Sequence, residues 1–275
     1  MNGKLLVGLL LVAASVSAQS TTVLGSGTSF SNAGASNIVD PACAAAINTW
    51  CARNVRNNGA VGITTTYARS GNGSLEFSGP NGSSYKSDFE YYLDPTSQFT
   101  LNNLQSLGYD WFRSSSSGAT SHFAPALRLI LADNSYLVYE PALNGPTKNV
   151  IFSQPTDNWQ TASFGNDGFV WWTKEGTQLA YSLADWKAGR TTSNSLFLDG
   201  TAVVVGFSTG IGSGWTGSFS GAVDNVSYKT SQMEIVKSFN FEVARSTVPE
   251  PSTYALMAAG LAVVGVATRR RRRAA

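Results

Sequence analysis

Short segments of alternating apolar and polar residues, separated by turn-forming residues, fill the sequence from residue 61 to residue 247. In Tyr85–Leu93, for example, Phe89 and Tyr91 point to one face of an extended strand and Glu90 points to the other. Clusters of Gly, Asn, Asp and Ser stand between such segments, and helix-forming stretches are nearly absent. The pattern therefore predicts an all-β fold, an antiparallel two-sheet jelly-roll sandwich.

Local turn signals indicate how some of these strands connect. An Asp-Asn-Ser turn separates Phe123–Leu131 from Tyr136–Glu140, which predicts a hairpin. A Gly-Asn-Asp-Gly turn predicts a second hairpin, between Trp159–Phe164 and Gly168–Thr173. The stretch with a helical pattern is Ser182–Gly189, which ends in a glycine.

The first 18 residues have the layout of a secretory signal peptide. Lys4 precedes the apolar run Leu5–Ala14, and small residues stand at positions −3 and −1 before a cut after Ala18. This layout predicts export through the Sec translocon and cleavage by signal peptidase. Residues 19–60 then form a polar N-terminal segment ahead of the sandwich domain, which we place at residues 61–247.

The last stretch, residues 248–275, combines three parts. Two prolines flank an acid and interrupt any helix in the motif Val248, Pro249, Glu250 and Pro251. The uncharged stretch Tyr254–Ala267 would span roughly 21–25 Å as a single hydrophobic helix, less than the hydrocarbon core of about 30 Å. A basic cluster, which stays on the cytoplasmic side of a membrane, follows at Arg269, Arg270, Arg271, Arg272 and Arg273. The tail is therefore predicted to be a marginal stop in the inner membrane.

This order of motif, apolar helix and basic end resembles the PEP-CTERM sorting signal of Gram-negative bacteria. The resemblance implies that an exosortase-type membrane protease removes the tail from an inner-membrane-tethered precursor. It further implies delivery to the cell surface or the exopolysaccharide matrix. The alternative is an ordinary C-terminal anchor that is never cut. The resemblance implies a route of export and leaves the role of the body open.

Several phrases of the body resemble the jelly rolls of exported bacterial proteins and, more distantly, carbohydrate-binding modules. The phrases are Tyr109–Arg113, Pro125–Leu129, Leu183–Trp186 and Gly210–Val226. The resemblance implies a fold more than an activity, because jelly rolls host many functions.

The basic character of the chain belongs to its ends. The sequence has 19 Lys+Arg against 17 Asp+Glu. Without Lys4, Glu250 and the five tail arginines, the body carries a net charge of about −3. Such a surface gives no electrostatic case for binding nucleic acid or anionic lipid.

The two cysteines, Cys43 and Cys51, are the only ones in the sequence. In an exported protein an isolated pair is most simply a disulfide. Closing so short a loop stabilises the fold by roughly 2–3 kcal/mol in the chain-entropy model. The alternative, a two-thiol metal or redox site, lacks a C-x-x-C spacing or a nearby histidine.

Catalytic motifs are missing from the sequence, which predicts a non-catalytic protein. His122 is the only histidine and has no neighbouring cysteine. A hydrolase would need two converging carboxylates. Candidate strands carry Glu76, Glu90, Asp110 and Glu140, but their spacing singles out no pair.

Three tryptophans are candidates for stacking on sugar rings. Trp171 and Trp172 are adjacent, so they must face opposite sides of a strand. Trp215 lies in a glycine-rich stretch that predicts an exposed loop. The alternative is that these rings fill the core.

Asp224 lies in a late strand with apolar neighbours, in the phrase Ala-Val-Asp-Asn-Val. A similar phrase in carbohydrate-binding jelly rolls implies a ligand of a structural calcium, which needs further oxygen ligands. The alternative is a buried carboxylate bonded to Arg128 or to backbone amides.

Three functions remain open at this stage. The first is an exported surface or matrix protein whose sandwich has a structural or adhesive role. The second is a glycan-binding module, which requires exposed tryptophans along a groove. The third is a polysaccharide hydrolase, which requires two carboxylates facing each other in a cleft.

Overall fold

The computed structural model describes residues 19–43, 46–82, 84–176, 178–245, 256–262 and 269. The predicted signal peptide, the motif at 248–251 and the arginines at 270–273 lie outside these residues. The described chain is mostly β-structure.

Up to Val243, the described residues form eighteen strands and one α-helix, in this order: β1 (Gln19–Gly25), β2 (Phe30–Asn32), β3 (Trp50–Arg56), β4 (Gly59–Thr64), β5 (Ser74–Gly79), β6 (Lys86–Tyr92), β7 (Phe99–Thr100), β8 (Leu104–Arg113), β9 (Ala126–Leu131), β10 (Tyr136–Tyr139), β11 (Gln160–Phe164), β12 (Phe169–Trp172), β13 (Tyr181–Ser182), α1 (Leu183–Ala188), β14 (Arg190–Thr191), β15 (Phe197–Leu198), β16 (Val203–Gly212), β17 (Phe219–Thr230) and β18 (Lys237–Val243).

Two sheets of eight strands each carry the fold. The first sheet follows the order β1-β18-β17-β5-β4-β2, with β8 on β17 and β11 on β8. The second sheet follows the order β13-β12-β10-β9-β16-β6-β3, with β7 on β16. β14 and β15 form a separate two-stranded sheet. The pairing in both large sheets is antiparallel except between β1 and β18, which run parallel. The parallel pair differs from the predicted antiparallel pattern.

Aromatic side chains pack between the two large sheets and form the core. Trp50 on β3 lies 5.4 Å from the rings of both Phe239 and Phe241 on β18. Phe207 on β16 lies 4.4 Å from Tyr228 on β17. Burying each such side chain contributes about 1.5–3 kcal/mol. This packing across the sheets is that of a β-sandwich.

The predicted helix and the first hairpin are confirmed. Ser182 caps α1 through a reciprocal bond pair with Asp185, and Gly189 ends it with φ 98°. β9 and β10 pair as predicted. The second predicted hairpin is wrong, because β11 pairs with β8 in the first sheet and β12 pairs with β10 in the second. The turn between them crosses the sandwich, since Phe164 stacks on Tyr139 across the core with 4.0 Å between ring centroids.

The polar segment 19–60 supplies β1, β2 and β3 to the two large sheets. Cys43 and Cys51 form the predicted disulfide, with their Cα atoms 5.9 Å apart. The described residues up to Val243 group as one compact unit, and those from Ala244 onward belong to another. In the second unit, residues 256–262 are helical and exposed. Of the helices in the described part of the chain, none is long and apolar enough to cross a membrane.

Candidate functional site

A groove with a cavity volume of about 430 Å³ lies on the outer face of the second sheet. The central strand β16 places only small residues on that face. Gly206 and Ser208 are paired with Tyr92 and Glu90 on β6, and Gly210 is paired with Asp88. The larger neighbours on β6, β9, β10 and β12 therefore rise on either side of β16.

The walls of the groove come from those strands and from the loops at one end of the sandwich. The strands contribute Lys86, Asp88, Ala126, Arg128, Tyr136, Val138 and Trp171. β16 contributes Gly212, and the segments outside the strands contribute His122, Phe123, Glu140, Ala142, Leu143, Ile151, Thr173, Gln178, Ser213, Gly214 and Trp215. The groove thus combines apolar rings and aliphatic groups with a few charged and polar groups, as ligand sites commonly do.

Asp88 and Arg128 form a buried ion pair in the floor. Arg128 Nη1 donates to Asp88 Oδ1 at 2.7 Å. The other carboxylate oxygen of Asp88 accepts from Lys86 Nζ at 2.9 Å and from Asn54 Nδ2 at 3.1 Å. Every oxygen of this carboxylate is therefore already bonded, which is what a buried charge requires.

Glu90 lies beside this pair and belongs to the same network. Its carboxylate accepts hydrogen bonds from Tyr92, Tyr136 and Asn54 at 3.0–3.2 Å. Burial raises the pKa of Glu90, and the nearby charge of Asp88 raises it further. The network fixes the orientation of the Tyr136 ring along the groove.

Glu140 also borders the groove. Unlike Asp88, it forms no ion pair with any of the described residues. Burial raises its pKa more than the charge of Arg128 and the indole of Trp171 lower it. The Trp171 indole N–H faces this carboxyl but falls outside hydrogen-bonding geometry. His122 also borders the groove, and burial lowers its pKa, so its imidazole is neutral at pH 7.

The adjacent tryptophans face opposite sides of β12, as strand alternation requires. Trp172 is buried against Trp186, and its Nε1 donates to Ser135 Oγ at 2.7 Å. Trp171 is half-buried and lines the groove. Trp171 is therefore placed to meet a ligand, whereas the Trp172 position contradicts a stacking role.

Trp215 borders the groove and lies in the predicted loop, between β16 and β17, where Ser213 and Gly214 are exposed, but its own ring is buried. It is only 6% exposed. Phe123 stacks on its ring at 4.6 Å, and Phe219 packs edge-on at 5.0 Å. The glycines expected to free this segment, Gly210 and Gly212, belong to β16 instead. Trp215 thus supports the wall and has no free face for a sugar ring.

Asp224 lies at a fork in the first sheet, which is the point where one edge of β17 changes from one neighbouring strand to another. β17 pairs with β5 up to Val223 and with β18 from Val226, so its edge changes neighbours at Asp224. The fully buried carboxylate accepts three backbone N–H bonds, from Ser70, Asn225 and Phe241. These bonds satisfy amides that the fork leaves unpaired. Bonding to backbone amides is one of the predicted alternatives, and Arg128 pairs with Asp88 instead. The structural calcium stays a prediction.

Other candidate carboxylates are held in structural contacts. Asp110 accepts from Arg69, Thr161 and Asn225. Glu76 accepts from the backbone of Tyr67. Across the described ranges, no group of three or more His, Cys, Asp or Glu side chains could hold a metal ion.

The sequence analysis missed Asp88 and Arg128 as parts of a site. The available signal was two acids at alternate positions, Asp88 and Glu90, in an otherwise apolar strand. Two buried carboxylates on one strand face require several cations or hydrogen-bond donors, of which β6 itself supplies Lys86 and Tyr92 and other strands supply the rest. The sequence does not reveal which strand supplies them.

Comparisons with known proteins give findings for the structure of the chain and for its carboxyl-terminal residues. No curated protein matches the sequence. A β-1,2-glucanase from Parabacteroides distasonis is similar in structure, with a TM-score of 0.36 and 12% identity over 75% of this chain and 24% of that chain. This chain therefore spans about a quarter of the length of the glucanase. A family 11 carbohydrate-binding module from Clostridium thermocellum, in complex with a β-1,3-1,4-mixed-linked tetrasaccharide, has a TM-score of 0.35 and 10% identity over 76% of this chain and 98% of that chain.

Residues 247–272 match the family model of the PEP-CTERM protein-sorting motif. The protein therefore carries a PEP-CTERM sorting motif at its carboxyl end.

Proposed function

We propose that this protein is an exported cell-surface protein that binds a polysaccharide in the groove of its second sheet. The sorting motif indicates an exported protein. The Sec translocon, signal peptidase and an exosortase are the machinery that this route requires. The jelly-roll closure of the sandwich is part of the same proposal.

The observation that carries the binding role is the position of Trp171. It is the half-buried tryptophan of the groove, while Trp172 and Trp215 are buried. An aromatic ring beside polar groups can stack on the apolar face of a sugar while its hydroxyls are hydrogen-bonded. Tyr136 and Gln178 supply polar groups along the same wall.

The charge of the groove favours a glycan without negative charge. Its lining contains the acids Asp88 and Glu140 and the bases Lys86 and Arg128, which balance. The body as a whole is mildly acidic, with a net charge of about −3, so anionic polymers are repelled. Neutral and mildly basic polysaccharides fit both features.

The contacts of the two acids in the groove, Asp88 and Glu140, favour binding without turnover. A glycosidase needs two carboxyl groups facing the substrate. Asp88 is fully buried and bonded through both oxygens. Glu140 has no second free carboxyl beside it in the groove lining, and we assign no catalytic step to the site.

Affinity electrophoresis tests the binding role. The purified protein is run in gels that contain a β-glucan, a galactan or partially N-acetylated chitosan. We expect retardation by at least one polymer and its loss in Trp171→Ala. Stacking on one ring contributes about 1–3 kcal/mol by analogy with bases, so affinity should fall by between about fivefold and a hundredfold.

Trp159→Ala is the matched control, because Trp159 is also half-buried but packs on Phe112 and Arg69 in the first sheet. It should bind like the wild type. If none of the polymers retards the wild type, the binding role is wrong. A structural or adhesive role of the sandwich is then the better account.

Intact-mass analysis of surface-exposed protein tests the export route. We expect a carboxyl end near Pro249–Pro251 in a host with the sorting enzyme. A mature protein that keeps Arg273 would instead be an uncut anchor.

A further inference from the structure

The groove offers one carboxyl group that the fold does not neutralise. Asp88 is paired with Lys86 and Arg128, and Glu90 is bonded by two tyrosines. Glu140 is part-exposed, lines the groove and takes part in no ion pair among the described residues. A ligand can therefore reach the Glu140 carboxyl without displacing a protein cation.

Glu140 has a defined place relative to the groove floor. It follows Tyr139, which pairs with Leu127 on β9, so Glu140 lies next to Ala126. Ala126 pairs with Gly210, and Gly210 pairs with Asp88. Two small residues thus separate the two acids, whose Cα atoms are about 14 Å apart across three strand spacings.

The residues Asp88, Gly210, Ala126 and Glu140 form a row across the sheet, and the two ends of this row differ in charge. At one end, Lys86 and Arg128 pair with Asp88, and Glu90 lies beside them in the same network. At the other end, Glu140 faces the indole of Trp171, and Arg128 is the charged group that acts on it. Burial lowers the pKa of His122 in the nearby loop, which disfavours a positive charge there. The Glu140 end is therefore where the groove favours a cation.

The raised pKa of Glu140 agrees with this location. Burial makes its negative charge unfavourable, and a bound cation would stabilise the ionised form. An ammonium group supplies that positive charge and can donate charge-assisted hydrogen bonds to the carboxylate. A carboxylate next to a tryptophan is a combination suited to a primary ammonium.

Building on the proposed function, we infer that Glu140 and Trp171 form a subsite for the protonated amine of an amino sugar within the bound polysaccharide. The amine donates to the Glu140 carboxylate while the ring of the same or the adjacent sugar packs on Trp171. The ligand class is therefore a polysaccharide with free hexosamine residues.

Calorimetric titration of the purified protein at pH 6 tests this subsite. The probes are a glucosamine hexamer and the matched N-acetylglucosamine hexamer. We expect the wild type to bind the amine form at least tenfold more tightly. Glu140→Gln keeps the shape of the side chain and should lose that preference, while Glu234→Gln, at an exposed position elsewhere, should keep it.

The outcomes separate this inference from the proposed function. Equal affinity for the two hexamers, or an unchanged preference in Glu140→Gln, overturns the amine subsite. In that case Trp171-dependent retardation by β-glucan or galactan would still support the groove as a glycan site. Failure of both hexamers and of every polymer overturns both proposals.

Discussion

Arg128 on β9 reaches Asp88 on β6 at 2.7 Å by passing over Gly210 of the intervening strand β16. A Cβ atom at Gly210 would lie 2.9 Å from Arg128 Nη1 and still closer to Asp88 Oδ1. The missing side chain therefore makes the buried ion pair possible, and the pair in turn fixes two of the charged groups in the groove floor.

Gly210→Ala should destabilise the protein by about 3 kcal/mol, because it overpacks the floor and forces apart a buried pair. Urea unfolding measures the loss. Gly82→Ala is the matched control, since Gly82 is exposed and nothing lies within 4 Å of an added Cβ. The control should change stability by less than about 0.5 kcal/mol. Equal stability of the two variants would contradict this role of Gly210.

The sequence was sufficient to predict the faces of individual strands but not the pairing that builds the site. Phe89 and Glu90 lie on opposite faces of β6, as alternation predicted, with Phe89 in the core and Glu90 buried on the other face. The partner of Asp88, Arg128, is 40 residues away in sequence, and the strand between them comes from residues 203–212. Such neighbours follow from sheet topology, which local patterns do not determine.

The tryptophans illustrate the same limit of prediction from local sequence patterns. Alternation required Trp171 and Trp172 to face opposite sides, but only the position of Trp186 shows which of them faces the core. Of the glycines around Trp215, Gly214 and Gly217 lie in the predicted loop, whereas Gly210 and Gly212 lie in β16. A glycine also suits a strand that approaches its neighbour closely: an added Cβ at Gly212 would lie 2.1 Å from the carbonyl oxygen of Tyr85.

Asp224 predicts a pH dependence of stability. Burial raises its pKa from 3.8 to about 6, despite three backbone amides that lower it. The folded state therefore holds a proton that the unfolded chain releases in this window, and stability falls as the pH rises through it. Between pH 4.5 and pH 7 this group should reduce the free energy of unfolding by about 2 kcal/mol.

Asp224→Asn cannot titrate, so its urea-unfolding free energy should change less between these two pH values than that of the wild type. Glu90 and Glu140, whose pKa values are also raised, keep some dependence of the same sign in both proteins. Identical pH slopes in variant and wild type would show that Asp224 does not titrate in the window.

Metal removal addresses the calcium alternative at the same residue. Because three amide donors already occupy the Asp224 carboxylate, we expect EDTA to leave the melting temperature unchanged within about 1 °C. Calorimetry with and without EDTA, followed by added calcium, measures this. A drop that calcium restores would support the calcium site, since a bound ion stabilises the folded state by mass action.

Replacing both Cys43 and Cys51 by serine should lower stability by about 2.5 kcal/mol in the chain-entropy model for a loop of this length. For a body of this size that corresponds to a fall in melting temperature of about 5–10 °C. β3 still pairs with β6 after the change, so the sandwich should stay folded. Peptide mapping of the wild type that found two free thiols would refute the disulfide.

The location of the bound glycan is tested most directly by oxidative footprinting of the tryptophans. Hydroxyl radicals are applied to the protein with and without partially N-acetylated chitosan oligomers, and oxidation is read by mass spectrometry. Trp159 in the first sheet serves as the internal standard. The groove model predicts that the oxidation of Trp171 falls at least threefold relative to Trp159. Equal oxidation of Trp171 with and without saturating oligomer, or protection of Trp159 instead, would contradict it.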